Sequence, residues 1–149
     1  MVILTQLPSS ARTIKKPRFE IRETLYEYDR PLLVLADLDG VQHLASLLDA
    51  KDSPKGEREV WLAAALGDKD VDAVTSNRIF FRDAWLIPET LKIICLYDTF
   101  AEPGGNSCVV EHAYEFPTLS APDSWLPDPG VKLRYVPENS GIENDWTGK

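Results

Sequence analysis

Residues 32–49 read LLVLADLDGVQHLASLLD, two apolar runs on either side of Asp39-Gly40. A type I′ turn needs positive φ at both central positions, and Asp-Gly supplies it at little cost. The dipeptide between two apolar runs therefore predicts a tight β-hairpin. Pairing across that turn sets Leu38 opposite Val41, Ala36 opposite His43, Val34 opposite Ala45 and Leu32 opposite Leu47, all on one face. Leu33, Leu35, Leu44 and Leu48 make the other face. Both faces are apolar, so a helix or a partner is expected over the second one.

The same stretch invites a different reading. An apolar strand running into Asp37-Leu38-Asp39-Gly40 is how the nucleophile strand of a haloacid-dehalogenase-type phosphatase begins, and GDKDVD at residues 67–72 imitates the late metal motif. That segment begins only 27 residues after Gly40. A single right-handed crossover to a parallel strand takes most of that length, and several would have to intervene. The hairpin also uses Asp39-Gly40 as a turn, so the phosphatase reading is rejected.

Working outward, residues 19–28 predict a first strand, broken at Arg30-Pro31. AKDSPKGERE, residues 50–59, is a polar loop, and residues 60–66 read as the next strand, with a helix as the alternative its alanines leave open. Asp68 suits the N-cap of a short helix closing near Asn77. RIFFRDAWLIPE, residues 78–89, reads as a short extended piece and a helical turn. Residues 90–98 and 108–116 predict two strands joined by the hairpin loop TFAEPGGNS. Opposing Asp98 to Val109 brings Cys95 beside His112, Ile93 beside Tyr114 and Leu91 beside Phe116 on one apolar face, with Lys92, Glu111 and Glu115 on the other. A proline-rich loop anchored by Trp125 leads to a last strand at residues 131–136. The fold class is thus α+β: an antiparallel sheet of five to six strands, a meander plus a hairpin, with one or two short helices. Its expected organisation is a basic arm over residues 1–18, one domain over residues 19–136 and a frayed tail over residues 137–149.

Charge narrows the choice of function. The formal net charge is −8 over 149 residues. Residues 1–18 carry Arg12, Lys15, Lys16 and Arg18 and no acid, so the acidity lies entirely in the remainder. A body so acidic argues against nucleic acid as a direct ligand, because phosphate binding needs clustered cations. The basic arm is expected to dock onto that body or onto an acidic partner. No signal-like or membrane-spanning segment is evident, and two cysteines without a signal read as reduced thiols of a cytoplasmic protein. In the proposed register Cys95 and Cys108 lie about 13 Å apart along the strands, beyond the ~7 Å that a disulfide tolerates.

Catalytic chemistry has one sequence candidate, the pair Cys95 and His112, whose juxtaposition would be the minimum for an activated thiol. The competing reading is two packed core residues. Histidine and cysteine show no metal-ligand spacing, Asp68, Asp70 and Asp72 lack the glycine and terminal glutamate of a calcium loop, and no glycine loop cradles a phosphate. No cofactor is therefore expected. Phe80, Phe81 and Trp85 read either as core or as anchors of a partner-binding patch.

Three segments, in order, resemble an uncharacterised family of small bacterial proteins over about residues 20–135: LYEYDRPLLVLADLDGVQHLASLLD, then VWLAAAL with RIFFRDAWLIPE, then DSWLPDPGVKL. The pattern departs at Arg30, where the family usually has glycine before Pro31. The resemblance implies strand at Trp61 and a bacterial or phage cytoplasmic origin. The family has no established activity, so it assigns no site. The expectation that follows is a non-enzymatic acidic protein-binding module, accessory, immunity-like or regulatory, whose partner is another protein, basic and encoded nearby, with homo-oligomerisation left open. The alternatives are an inhibitor that mimics nucleic acid with its carboxylates, and a small thiol-dependent hydrolase or transferase using Cys95 and His112.

Overall fold

A computed structural model describes residues 3–28, 30–54, 56–75, 93–102 and 107–126. Seven antiparallel strands carry the fold: β1 (Arg12–Thr13), β2 (Phe19–Tyr28), β3 (Arg30–Leu38), β4 (Val41–Ser53), β5 (Gly56–Ala65), β6 (Ile93–Ala101) and β7 (Ser107–Pro117). One helix, α1 (Asp68–Thr75), and short 3-10 turns at Ile3–Gln6, Thr118–Ser120 and Asp123–Trp125 complete the described residues. The antiparallel sheet with minor helix expected from the sequence is present, and residues 60–65 are strand; the stretch read as a loop over residues 50–59 is instead a hairpin, since β4 runs to Ser53 and β5 starts at Gly56.

The hairpin is built as read. Asp39 has φ 52° and Gly40 φ 85°, and β3 pairs with β4 through Leu38–Val41, Ala36–His43 and Val34–Ala45. The Asp39 carboxylate also accepts the Arg18 backbone N–H at 2.9 Å, tying the turn to the strand before it. A Cβ on Gly40 would meet no atom within 4 Å, so only the backbone conformation resists substitution there. Gly40→Val should cost about 1–3 kcal/mol from forcing a β-branched residue to positive φ; a melting curve that does not move would refute that origin of the turn.

The strands close on themselves. Each of β3 to β6 pairs with both of its sequence neighbours, β2 pairs with β3 and β7, and β7 pairs with β6 on one edge and with β1 and β2 on the other. The six long strands therefore close into a cylinder, whose β2–β7 seam is held by the two pairs Phe19–Cys108 and Glu20–Ser107. The side facing inward is identified by Phe19 of β2, whose ring lies 5.8 Å from Trp61 of β5 and 6.0 Å from Tyr97 of β6. β2 and β5 are not neighbours in the sheet, so these contacts cross the interior. Around the three rings sit Ala36, Ala45, Ala63 and Ala113, all essentially inaccessible. A six-stranded cylinder is narrow, and small residues make room for the large ones.

The opposite face carries Leu33, Leu35, Leu44, Leu62, Leu96 and Phe116. The chain covers it itself, with Leu7 and Ala11 from the N-terminal segment, Val71 from α1, and Ala121, Trp125 and Leu126 from the turns after β7. Trp125 is buried and its ring lies 6.0 Å from that of Phe116, as an anchor should. The two-faced apolar hairpin thus needs no partner: Leu33, Leu35 and Leu44 are at most 8% exposed.

The N-terminal arm docks onto the body, one of the two expectations for it, since Arg12–Thr13 pairs with β7 and Arg12 binds Glu115. Two further expectations need correction. Helix α1 is capped one residue earlier than expected: the Gly67 carbonyl accepts from the N–H groups of Asp70 and Val71, which places Asp68 inside the first turn. The β6–β7 register is shifted by three. Cys95 pairs with Glu115, and Asp98 with His112. Asn77, Phe80, Phe81, Trp85, the strand expected at 131–136 and the tail at 137–149 lie outside the described residues.

Candidate functional site

The shift of β7 decides what its histidine can do. An odd shift exchanges the faces of a strand, so Cys95 lies with the inward set while His112 lies outward beside Asp98. They do not form a pair. Burial is the main cause that raises the Cys95 thiol above its ordinary pKa. Burial, followed by the charge of Glu59, pushes Cys108 up to about 12. Both cysteines are free thiols, and such environments hold them protonated and unreactive.

Asp37 and Asp39 also diverge. Asp37 receives Arg22 at 3.1 Å, while Asp39 receives the backbone of Arg18. Asp37 is thus held by a β2 side chain and Asp39 by the backbone just before β2, so the two carboxylates are committed to different partners.

What the register does assemble is a carboxylate with two cationic or basic partners on the outer wall. Asp98 of β6 is wholly buried. Arg58 of β5 donates to it through Nε at 2.7 Å and through Nη2 to the second oxygen. His112 of β7 places Nδ1 at 3.0 Å from that second oxygen. An ionised carboxylate only accepts, so Nδ1 carries the proton and Nε2 is the nitrogen left for solvent or a ligand. Burial works to raise the Asp98 pKa, but the hydrogen bonds from Arg58 and His112 and their charges outweigh it, and the carboxyl sits below its ordinary value. Aromatic rings hold both partners. The Arg58 guanidinium lies 5.6 Å from the centroid of Phe100, and Tyr114 stacks on His112 at 6.3 Å with an 11° interplanar angle. The His112 side chain remains 49% exposed.

A second buried acid faces the other way. Glu59 is 7% exposed at one end of the interior, its backbone carbonyl taking the Thr99 hydroxyl at 3.1 Å. The Trp61 indole N–H has no partner within hydrogen-bond geometry, yet it lies toward the Glu59 carboxylate and favours its charge. Burial is the largest influence on Glu59, Glu57 adds to it, and Trp61 and Arg30 only partly compensate, so its pKa is raised. A raised acid is destabilising once ionised, and the penalty grows as pH rises from the ordinary carboxylate range through the folded value. Glu59→Gln should therefore raise Tm at neutral pH by about 2–4 °C, the scale of a ~1 kcal/mol gain in a chain of this size. Arg30 keeps Glu57 at 2.7 Å in that variant. Thermal melts from acid to neutral pH check it: the advantage should close in acid.

The cluster around Asp98 was missed by sequence reading, although a charged residue inside the apolar run Cys95–Phe100 is a signal that buried partners must exist. Among the described residues no group of three or more His, Cys, Asp or Glu could hold a metal ion. No described helix is long and apolar enough to cross a membrane. No family model, curated protein or solved structure matches this chain.

Proposed function

We propose that this chain is a non-enzymatic protein-binding module, an accessory, immunity-like or regulatory subunit of a bacterial or phage system, and that its partner is a basic protein. The observation that carries the reading is where the acidity sits. Glu23, Glu27, Asp52, Asp68, Asp72 and Glu102 are exposed, on a chain whose net charge is −8. Fields of one sign steer an oppositely charged partner and speed its association. The interior supports the same reading, because three aromatic rings fill it and leave function to the outer surface.

The test is copurification from the native host followed by mass spectrometry, with the complex then formed at increasing salt. Association should slow and weaken as salt rises, and Glu23→Lys with Glu27→Lys, both exposed on β2, should reduce it without lowering Tm. A complex indifferent to both salt and charge reversal would refute the reading. Displacement of this chain from its partner by double-stranded DNA would mark the partner surface as one that ordinarily binds nucleic acid.

A further inference from the structure

The outer wall at His112 carries charge of the sign opposite to the rest of the body. Its origin is a break in the ladder that closes the cylinder. Arg12 pairs with Glu115, Thr13 with Tyr114, and the Ile14 N–H donates to the Ala113 carbonyl at 3.0 Å. Phe19 then pairs with Cys108 and Glu20 with Ser107. These pairs follow one register, so β1 and β2 are two pieces of one strand alongside β7. Residues 15–18 span the same number of positions as residues 109–112, yet they form no register pair with them. Pro17 has no N–H to donate to such a ladder. In this register Lys15 falls opposite His112, Lys16 opposite Glu111 and Arg18 opposite Val109.

Lys15, Lys16 and Arg18 are all exposed. Arg18 has a salt bridge to Glu20 at 3.4 Å, whereas Lys15 and Lys16 have no ion pair among the described residues. His112, which falls opposite Lys15 in this register, is half exposed, with Nδ1 committed to Asp98. Asp98 is already matched by Arg58 through two hydrogen bonds, so it does not cancel the lysines. Its remaining effect is to fix the ring through Nδ1, with Nε2 left as the outward nitrogen.

We propose that Lys15, Lys16 and His112 form a binding site for a compact oxyanion, a phosphate group on a small molecule. The lysines supply mobile point charges, and His112 supplies an oriented nitrogen, Nε2, that accepts from a protonated phosphate oxygen. Asp98 accepts from Nδ1 and so holds the ring in place. An extended nucleic-acid backbone suits the site poorly, because it would run from this patch onto acidic wall. The charged and titratable groups around the ring are Asp98 on β6, Arg58 on β5, Glu111 and Tyr114 on β7, and Lys15, Lys16 and Arg18 on the link. Glu111 opposes them on the near side, while Glu115 is matched by Arg12 and Glu20 by Arg18.

The test uses the full chain in low-salt buffer, with amide and imidazole NMR signals followed during titration. Inorganic phosphate and phenyl phosphate should shift the His112 ring and the Lys15 and Lys16 amides saturably, and chloride at equal ionic strength should not. His112→Gln should weaken binding at least threefold, and Lys15→Gln with Lys16→Gln at least tenfold. Unchanged Tm values show that each variant is folded, and Asp98 keeps Arg58 in His112→Gln. Non-saturable shifts, or saturable ones that survive in both variants, would overturn the site. Tighter binding of a short duplex DNA than of phenyl phosphate would overturn the assignment of the ligand.

Discussion

Asp98→Asn is expected to lower the unfolding free energy by about 3 kcal/mol at neutral pH, near the low end of what removing one partner of a buried ion pair costs. The change keeps the shape and removes the charge. Arg58 then points two donors at a neutral amide from a site whose side chain is 28% exposed. Partial access to water softens the loss, which is why the low end applies. The pH course separates this cause from simple packing. Asp98 has a folded pKa below its unfolded one, so its contribution is present above the ordinary carboxylate range and is lost as pH falls through the folded value. Urea melts of the two proteins at several pH values should therefore converge in acid. A gap that stays constant down to the acid limit would assign the effect to geometry instead.

The cluster that makes Asp98 important was beyond the reach of pattern reading, for a definable reason. Where a turn fixes the register, the sequence was legible. Asp39-Gly40 permits one pairing, and Leu38–Val41, Ala36–His43 and Val34–Ala45 follow from it. Between β6 and β7 no such turn acts. The connection through residues 102–106 is long enough to allow several offsets, and a bulge after Asp98 changes the count again. Alternation would normally choose among offsets by putting the apolar set inside. Here Leu96 and Phe116 are buried outward under the chain's own turns while Tyr97 and Val110 are buried inward. Two apolar faces leave the pattern degenerate, and a slip of three looks as good as the true pairing. That slip is what put Cys95 next to His112.

Closure was invisible for a related reason. The pairing of β2 with β7 joins residues about ninety positions apart, and nothing local announces it. An open sheet with two apolar faces calls for covering layers on both sides. A closed one covers its inner face by curvature and needs only the short outer segments that Leu7, Val71 and Trp125 bring. The excess of apolar surface that suggested a partner at the hairpin was therefore a sign of closure. The surface residues that the described structure presents include the exposed acids and the apolar Val41, Ile93, Val109 and Leu119.

Phe19 gives the sharpest test of closure. Phe19→Ala is expected to cost about 4 kcal/mol, within the range for a large buried aromatic truncated where neighbours cannot collapse. The ring is fully buried and reaches Trp61 and Tyr97 on the far side of the interior. Its lateral partners are Leu38 on β3 and Cys108 on β7. The small residues nearby, Ala36, Ala45 and Ala63, have no side-chain length with which to fill the void, and a hydrogen-bonded cylinder cannot shrink its radius without breaking pairs. The loss should thus include the full cavity term. Phe19→Leu, which restores much of the volume, should cost about 1–1.5 kcal/mol. There is also a cooperative consequence. β2 meets β7 through only Phe19–Cys108 and Glu20–Ser107, so losing the ring that holds this junction inward should let the seam open before the rest unfolds. Urea denaturation should then show a reduced m-value for Phe19→Ala but not for Phe19→Leu, because part of the interior is already exposed in the native state. Amide exchange at Cys108 and Glu20 should speed up ahead of that in β4. If Phe19→Ala costs less than about 1.5 kcal/mol, well under the range for a trapped aromatic, and leaves m unchanged, the ring does not span a closed interior, and the sheet is open between β2 and β7.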